Sequence, residues 1–90
     1  MDFEWDSAKA AANVRKHGVS FEETVSALRD DFAATARDLA HSVAESRFIT
    51  FGISANGRLL AASHTERGNR VRITSARLAT RAEGKIYEEG

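Results

Sequence analysis

RFITFGISANGRLLAASHTERGNRVRITSA, residues 47–76, is the part of the sequence that decides the fold. Aromatic and β-branched residues, which are typical of strands, are frequent in it. It divides into three predicted strands, 47–53, 59–65 and 70–76, separated by the turns SANGR (54–58) and ERGN (66–69). The first turn contains Asn-Gly, the strongest short signal for a hairpin. The stretch therefore predicts an antiparallel meander.

Two helices are predicted before the meander. Asp6 is a suitable N-cap for the helix SAKAAANVRKH, and Gly18 follows at the position where a helix often ends in a left-handed residue. Ser20 and Glu23 have the spacing of a capping box and open a second helix. The apolar stripe of that second helix is Phe21, Val25 and Leu28.

Weaker patterns flank these elements. Phe3 and Trp5 alternate with acidic residues, which suits a short edge strand. FAATAR (32–37) is a weak strand and LAHSVAES (39–46) is a polar loop. Together with a terminal helix, these patterns predict one α+β domain over residues 1–90. Its expected parts are two N-terminal helices, a four-stranded antiparallel sheet and a short C-terminal helix.

The C-terminal helix has its own start signal. Thr80 and Glu83 form a second capping box, and the helix is expected to end near Tyr87. Gly84 follows the capping glutamate inside the helix and weakens it by about 1 kcal/mol.

Composition excludes several classes of protein. With 42% apolar residues, the chain is expected to be globular. It has no Cys, so disulfides, thiolate chemistry and a zinc knuckle are excluded. The acidic start MDFEWDSAK does not resemble a secretory signal, and no apolar stretch approaches the roughly 18 residues of a membrane span. A cytoplasmic location is the simplest expectation.

The formal net charge of +0 hides an asymmetry between the two halves of the chain. Residues 1–45 carry five Lys or Arg and nine Asp or Glu, whereas residues 46–90 carry eight and four. Arginine, the better ligand for phosphate, accounts for ten of the 13 basic residues. The split indicates a basic face for a polyanion, although charged residues that merely solvate the surface remain an alternative.

Strand alternation sorts the arginines of the last predicted strand. It places Arg70, Arg72 and Thr74 on one face and puts Arg77 on the other, with Val71 and Ile73. A partly buried Arg77 at the strand end would need an anionic partner or a ligand. Arg81, in the first turn of the last helix, opposes the helix dipole, which favours a functional reason for its presence. Arg70 and Arg72 also have a simple interpretation as a solvated strand face.

The histidines and Tyr87 supply candidate proton-transfer groups. His64 ends a strand beside Glu66 and Arg67, and nearby arginines would keep it neutral and able to accept a proton. A structural role for His64, and a helix-capping role for His17, are the alternatives. The histidines lack metal-ligand spacing, so neither a metal nor a cofactor is expected. A basic sheet with these groups has the chemistry for metal-free RNA cleavage, because the RNA 2′-hydroxyl is its own nucleophile.

The chain resembles the BrnT family of toxins over nearly its whole length. FEWDSAKAAANVRKHGVSFEE (3–23) is similar to the start of that family, and HTERG (64–68) with RITSAR (72–77) is similar to its later part. The resemblance implies a RelE-like fold and a type II toxin that cleaves RNA and inhibits translation. It also implies a BrnA-like ribbon-helix-helix antitoxin, which binds operator DNA, and a hetero-oligomer of two toxins with two antitoxins.

The resemblance and the patterns together give a set of candidate site residues. The expected catalytic residues are His64, Arg67, Arg77, Arg81 and Tyr87. The expected substrate-binding residues are Lys16, His17, Arg70 and Arg72. Two other interpretations remain open at this point: a nucleic-acid-binding module without catalysis, and an interaction subunit whose basic face docks an acidic protein.

Overall fold

In chain order, the described residues form a strand, two helices, four more strands and a last helix. The structure, a computed structural model, describes residues 2–41 and 46–90. Its elements are β1 (Asp2–Glu4), α1 (Ser7–His17), α2 (Phe21–Leu28), β2 (Ala34–Arg37), β3 (Arg47–Ile53), β4 (Leu59–Arg67), β5 (Arg70–Leu78) and α3 (Arg81–Glu89). A one-turn 3-10 helix, Leu39–His41, follows β2. Residues 42–45 of the predicted 39–46 loop lie outside the described residues.

The local signals for α1 and α3 are confirmed. The Asp6 side chain accepts hydrogen bonds from the backbone N–H groups of Ala8 and Lys9, and Gly18 ends α1 with a φ of 69°. Both halves of the capping box between Thr80 and Glu83 are formed. The helix that this box opens continues to Glu89, beyond the predicted end near Tyr87.

Only one half of the capping box predicted for α2 is used for capping. Ser20 accepts a hydrogen bond from the N–H of Glu23. The Glu23 carboxylate instead reaches the hairpin between β3 and β4, where it accepts from Arg58 Nε at 2.9 Å and from Ser54 Oγ at 2.6 Å. The Arg58 contact is the main reason that the pKa of Glu23 falls to about 2. This ion pair connects the start of α2 to the β3–β4 hairpin of the sheet.

The sheet has five strands in the order β1-β5-β4-β3-β2 and is mixed, so the predicted four-stranded antiparallel sheet is wrong. The fifth strand is β1, which lies parallel to β5 with Phe3 opposite Val71. It precedes the two helices in the chain, and only the tertiary fold brings it to its partner. The three pairings among β2, β3, β4 and β5 are antiparallel, as predicted.

The core lies between one face of the sheet and the first two helices. Its fully buried members are Val19, Phe21, Ala27, Leu60, Ile73 and Ala76. Trp5 packs edge-on against Phe21, with the ring centroids 5.9 Å apart. Val25 and Leu28 of the predicted stripe pack beside this core. Nowhere in residues 2–41 and 46–90 is a helix long and apolar enough to cross a membrane.

Candidate nucleic-acid interface

The two faces of the sheet are covered differently. Leu60 and Ile73 belong to the core under α1 and α2. On the opposite face, α3 packs across one end of the sheet, where Gly84 lies beside Leu59. We call this second face the open face. Alternation and strand register place on it Arg47, Ile49, Ser63, Thr65, Arg67, Arg70, Arg72, Ser75 and Arg77.

A β-bulge in β5 decides which arginines belong to the open face. Ser63 pairs with Ser75 and His64 pairs with Ile73, so Thr74 is an extra residue in β5. The Thr74 hydroxyl donates to the Ser63 carbonyl at 3.1 Å. The extra residue reverses the alternation, and the buried positions are Val71, Ile73 and Ala76.

Simple alternation through β5 therefore gives the wrong face for Arg77. That pattern predicts Arg77 on the side of Val71 and Ile73, but the bulge turns it to the side of Arg70 and Arg72. Arg77 consequently joins the other arginines on the open face rather than facing the core. The physical reason is that side chains alternate between the two faces of a strand, so one inserted residue moves every later side chain to the opposite face.

Acidic side chains partly balance the open face. Arg72 contacts Glu4 at a loose 3.5 Å, and both side chains are about two-fifths exposed, at 40% and 38%. Asp2 lies opposite Arg70 in the strand register. Arg67 and Arg70 are exposed at the end of the β4–β5 hairpin. The arginines outnumber these acids, so the face presents a positive surface suited to phosphate groups.

Arg77 already has an anionic partner in the protein. Its guanidinium donates to both carboxylate oxygens of Glu83, from Nη1 at 2.7 Å and from Nη2 at 2.9 Å. The same carboxylate accepts the Thr80 N–H at 2.8 Å and thereby caps α3. Hydrogen bonding from Arg77 is the main reason that the pKa of Glu83 falls to about 2. One glutamate thus starts the last helix and fixes the orientation of Arg77.

His64 lies on the helix-covered side of the sheet. Its Nε2 is 2.8 Å from the Thr50 hydroxyl, and its ring stacks on Phe48 with the centroids 5.8 Å apart. Only 2% of the residue is exposed, and burial lowers its pKa, which keeps the imidazole neutral. Nδ1 is 3.8 Å from the Glu66 carboxylate. Burial, and not the nearby arginines expected from the sequence, is the main cause of the lowered pKa, and the sheet separates His64 from Arg77.

Tyr87 connects α3 to the end of α2. Its hydroxyl donates to Asp30 Oδ2 at 2.6 Å, and this contact raises the pKa of Tyr87. Asp30 also accepts the backbone N–H groups of Phe32 and Ile53. Tyr87 is therefore held at the far end of α3 from Glu83.

The remaining predicted residues lie on helices. Arg81 begins α3 and lines a cleft of about 360 Å³ together with Lys85 and Glu88. Lys16 and His17 are in the last turn of α1, where cations suit the helix dipole. Of the predicted set, Arg67, Arg70, Arg72 and Arg77 share the open face of the sheet, His64 lies on its other face, and Lys16, His17, Arg81 and Tyr87 lie on helices.

Sequence reasoning missed Arg47 and Thr65 as members of the interface. Arg47 opens β3 directly opposite Thr65, and Thr65 is in turn opposite Arg72 in β5. The signal was present in the spacing, because pairing counted outward from the five-residue turn 54–58 brings residues 53 and 59 together and therefore also 47 and 65.

Comparison with known proteins agrees with this architecture. The profile of the family described as "Ribonuclease toxin, BrnT, of type II toxin-antitoxin system" matches residues 5–83. A crystal structure of the ribonuclease toxin BrnT from Brucella abortus has a similar fold, with a TM-score of 0.63. It is 23% identical, over 90% of this chain and 99% of that chain. No curated protein sequence matches the chain.

The family match extends from Trp5 through both helices and the meander to Glu83. It thereby includes the segments 15–23 and 64–77 that carry the resemblance seen in the sequence, and it confirms that resemblance. The chain therefore belongs to the BrnT family of ribonuclease toxins of type II toxin–antitoxin systems.

Proposed function

We propose that this chain is a RelE-like, metal-independent endoribonuclease that binds RNA on the open face and inhibits translation in the cytoplasm. The observation that carries the proposal is the gathering of Arg47, Arg67, Arg70, Arg72 and Arg77 on that face by strand register and the Thr74 bulge. Planar guanidinium groups suit the oxygens of successive phosphates.

In the proposed reaction, the RNA 2′-oxygen attacks the adjacent phosphorus and the bond from phosphorus to the 5′-oxygen breaks. The 2′-hydroxyl loses its proton to a base, and the departing 5′-oxygen gains a proton from an acid. The products are a 2′,3′-cyclic phosphate and a 5′-hydroxyl. Arg77 stabilises the charge that develops on the phosphorane, and its contact with Glu83 orients it in advance.

Proton transfer is the second part of the proposal. Burial lowers the pKa of His64 and favours the neutral ring, and no described residue forms a hydrogen bond with its Nδ1, so it has the chemistry of a base. Because His64 is buried across the sheet from Arg77, contact with RNA requires the sheet around His64 in β4 to open. Tyr87 likewise has to leave Asp30 before it can act as an acid. Arg81 would contact the substrate from the start of α3.

Binding of RNA without cleavage is a second candidate function, and the hydrogen bonds of His64 and Tyr87 favour it. Both predicted proton-transfer groups are engaged away from the arginines, His64 with Thr50 and Tyr87 with Asp30. In that case the arginines of the open face would hold RNA without breaking it.

Cleavage of an end-labelled RNA in EDTA separates these functions. The wild-type chain is expected to produce fragments that end in a cyclic phosphate, and Arg77→Ala is expected to lose most of this activity. Arg15→Ala, an exposed arginine of α1, is the matched control and should cleave normally. RNA that stays intact while it binds the wild-type chain would support the second function. Cleavage that disappears in EDTA and returns with a divalent cation would contradict metal independence.

The partner proposed is a BrnA-like ribbon-helix-helix antitoxin, since the family description places these toxins in type II systems. We propose that two toxins and two antitoxins assemble, that the antitoxin covers the open face, and that the complex binds operator DNA. Co-purification followed by light scattering gives the stoichiometry. Protection of RNA by the antitoxin, and loss of its binding when Arg70 and Arg72 are changed to Gln, would support docking on that face.

A further inference from the structure

The Thr65 hydroxyl is a buried polar group without a hydrogen-bond partner among residues 2–41 and 46–90. The residue is 1% exposed, and no described residue forms a hydrogen bond with its Oγ1. Leaving a buried hydroxyl unpaired is unfavourable, so such groups often have a role that the free protein does not display. Nothing in the core explains it, because Thr65 lies on the open face and not under α1 or α2.

Arginines surround this hydroxyl. Arg47 and Arg72 lie directly opposite Thr65 on the two neighbouring strands, where cross-strand side chains are about 5 Å apart at Cβ. Arg67 is two residues further along β4, and Arg70 is diagonally opposite on β5. Four arginines therefore occupy the register positions around one hydroxyl that has a proton to donate.

Arg72 is held only weakly by its acidic neighbour Glu4. The contact between Arg72 and Glu4 is 3.5 Å long, at the limit of a hydrogen bond, and is largely exposed. By contrast, Arg77 and Glu83 form two bonds of 2.7 and 2.9 Å. Breaking the exposed contact between Arg72 and Glu4 costs little free energy, so a phosphate can replace Glu4 as the partner of Arg72, whereas Arg77 stays bound to Glu83.

We propose that Thr65 is the centre of a phosphodiester-binding subsite, formed with Arg47 and Arg72, that holds the RNA away from the bond being cleaved. The Thr65 hydroxyl donates to a non-bridging phosphate oxygen once the Arg72 side chain turns from Glu4 to the same phosphate. Arg72 is closer than Arg77 to the β4–β5 turn, so the subsite lies on the turn side of Arg77. Residues 72 and 77 of β5 are separated by about 16 Å along an extended strand. It rests on the proposed function in taking RNA as the ligand.

The subsite is tested by binding, not by cleavage. The probe is a fluorescent 2′-O-methyl oligoribonucleotide, which lacks the nucleophilic hydroxyl, and anisotropy is measured over a series of salt concentrations. Thr65→Val keeps the shape and removes the donor, so affinity is expected to fall about tenfold. The slope of log affinity against log salt should not change, because no cation is lost. Arg72→Gln should weaken binding and also reduce that slope by about 0.7.

Two controls distinguish a binding role from a structural one. Thr65→Val should unfold at the same temperature as the wild-type chain or higher, since it removes an unpaired buried hydroxyl. Thr65→Ser, which restores the donor, should recover most of the affinity. Thr35→Val makes the same chemical change on the helix-covered side and should leave RNA affinity unchanged.

The outcomes separate this subsite from the proposed enzyme. Wild-type affinity in Thr65→Val overturns the subsite, as does a loss that follows a lower unfolding temperature and is not recovered by serine. Failure of the wild-type chain to bind the probe also overturns it. If the probe binds, Thr65→Val loses affinity and unmodified RNA is still not cleaved, the subsite stands and the ribonuclease proposal fails.

Discussion

The Asn13 side chain bonds to both backbone polar groups of Ala76. Its Nδ2 donates to the Ala76 carbonyl at 2.8 Å, and its Oδ1 accepts the Ala76 N–H at 3.1 Å. β1 pairs with β5 only as far as Arg72, so no strand in the described part of the chain lies beside β5 at Ala76 on this edge. A helix side chain therefore completes the edge directly after the Thr74 bulge, where the direction of Arg77 is set.

Asn13→Ala is expected to lower the free energy of unfolding by about 2–4 kcal/mol. The change removes these two bonds and a third to the Val19 carbonyl, and it leaves buried backbone groups unpaired. Urea unfolding followed by circular dichroism measures the effect. The matched control is Val14→Ala, at the next residue of α1, whose side chain is 48% exposed and should cost less than about 1 kcal/mol. Equal losses in both variants would argue against a special role for Asn13.

Two substitutions of glycine by alanine should change the free energy of unfolding in opposite directions. In β3, a Cβ at Gly52 would collide with the backbone carbonyl of Ala27, so Gly52→Ala should destabilise the fold by about 1–3 kcal/mol as α2 is pushed away. In α3, a Cβ at Gly84 would meet only Leu59 Cδ2 at 3.7 Å, an ordinary contact. Gly84→Ala should stabilise the protein by about 1 kcal/mol, because glycine is a poor helix former. Thermal unfolding of both variants is the measurement, and the same sign in both would contradict the packing described.

Glu23 should make the fold sensitive to acid. Its pKa is lowered from 4.5 to about 2 in the folded chain, so its stabilisation is complete above pH 4.5 and is lost as the pH falls toward 2. The free energy of unfolding falls by at most about 3 kcal/mol over this range. Solvent screening at the partly exposed Arg58 makes the loss smaller. Glu23→Gln should flatten the dependence of unfolding free energy on pH in that window, and so should Arg58→Gln. The slope from Glu83 remains in both variants. An unchanged pH profile in Glu23→Gln would show that the ion pair adds little.

His64 should add a second pH dependence in a higher range. Burial lowers its pKa below the ordinary 6.5, so the folded chain resists protonation more than the unfolded chain does. Stability from this group is therefore present above pH 6.5 and declines as the pH falls toward the folded value. The Glu66 carboxylate, 3.8 Å from Nδ1, reduces the effect. NMR titration of the imidazole gives the pKa directly, and His64→Gln should reduce the slope of unfolding free energy against pH below pH 6.5. A measured pKa above 6.5 would contradict the burial argument.

Short-range sequence signals predicted most elements of the fold correctly. The capping residues Asp6, Gly18, Thr80 and Glu83 form hydrogen bonds with backbone groups only a few residues away, so the local sequence is sufficient to predict these helix ends. The pairing of β1 with β5 could not be predicted in this way, because a three-residue strand carries too little pattern to specify a distant partner. Glu23 shows the same limit, since its capping position is clear in the sequence but its actual partner, Arg58, is reached only after folding.

The candidate site was predicted in composition but not in arrangement. Counting charges located the arginines in the second half of the chain, and register within the meander was implied by the hairpin turn. Thr74 has no bulge signature, so alternation through β5 misplaced Arg77. Burial and hydrogen bonding then decided the states of His64 and Tyr87, and neither property can be assigned to a residue before its neighbours are known.

The bulge also affects how this chain is compared with its relatives. β5 has one more residue than its β4 partner segment, so a relative with a regular strand has to be aligned with a one-residue gap at Thr74. An ungapped alignment would place the equivalent of Arg77 on a neighbour that faces the core, and the arginine would look unconserved. Substitution patterns around Arg77 therefore have to be compared at equivalent structural positions, with the bulge counted, before they are used to judge its importance.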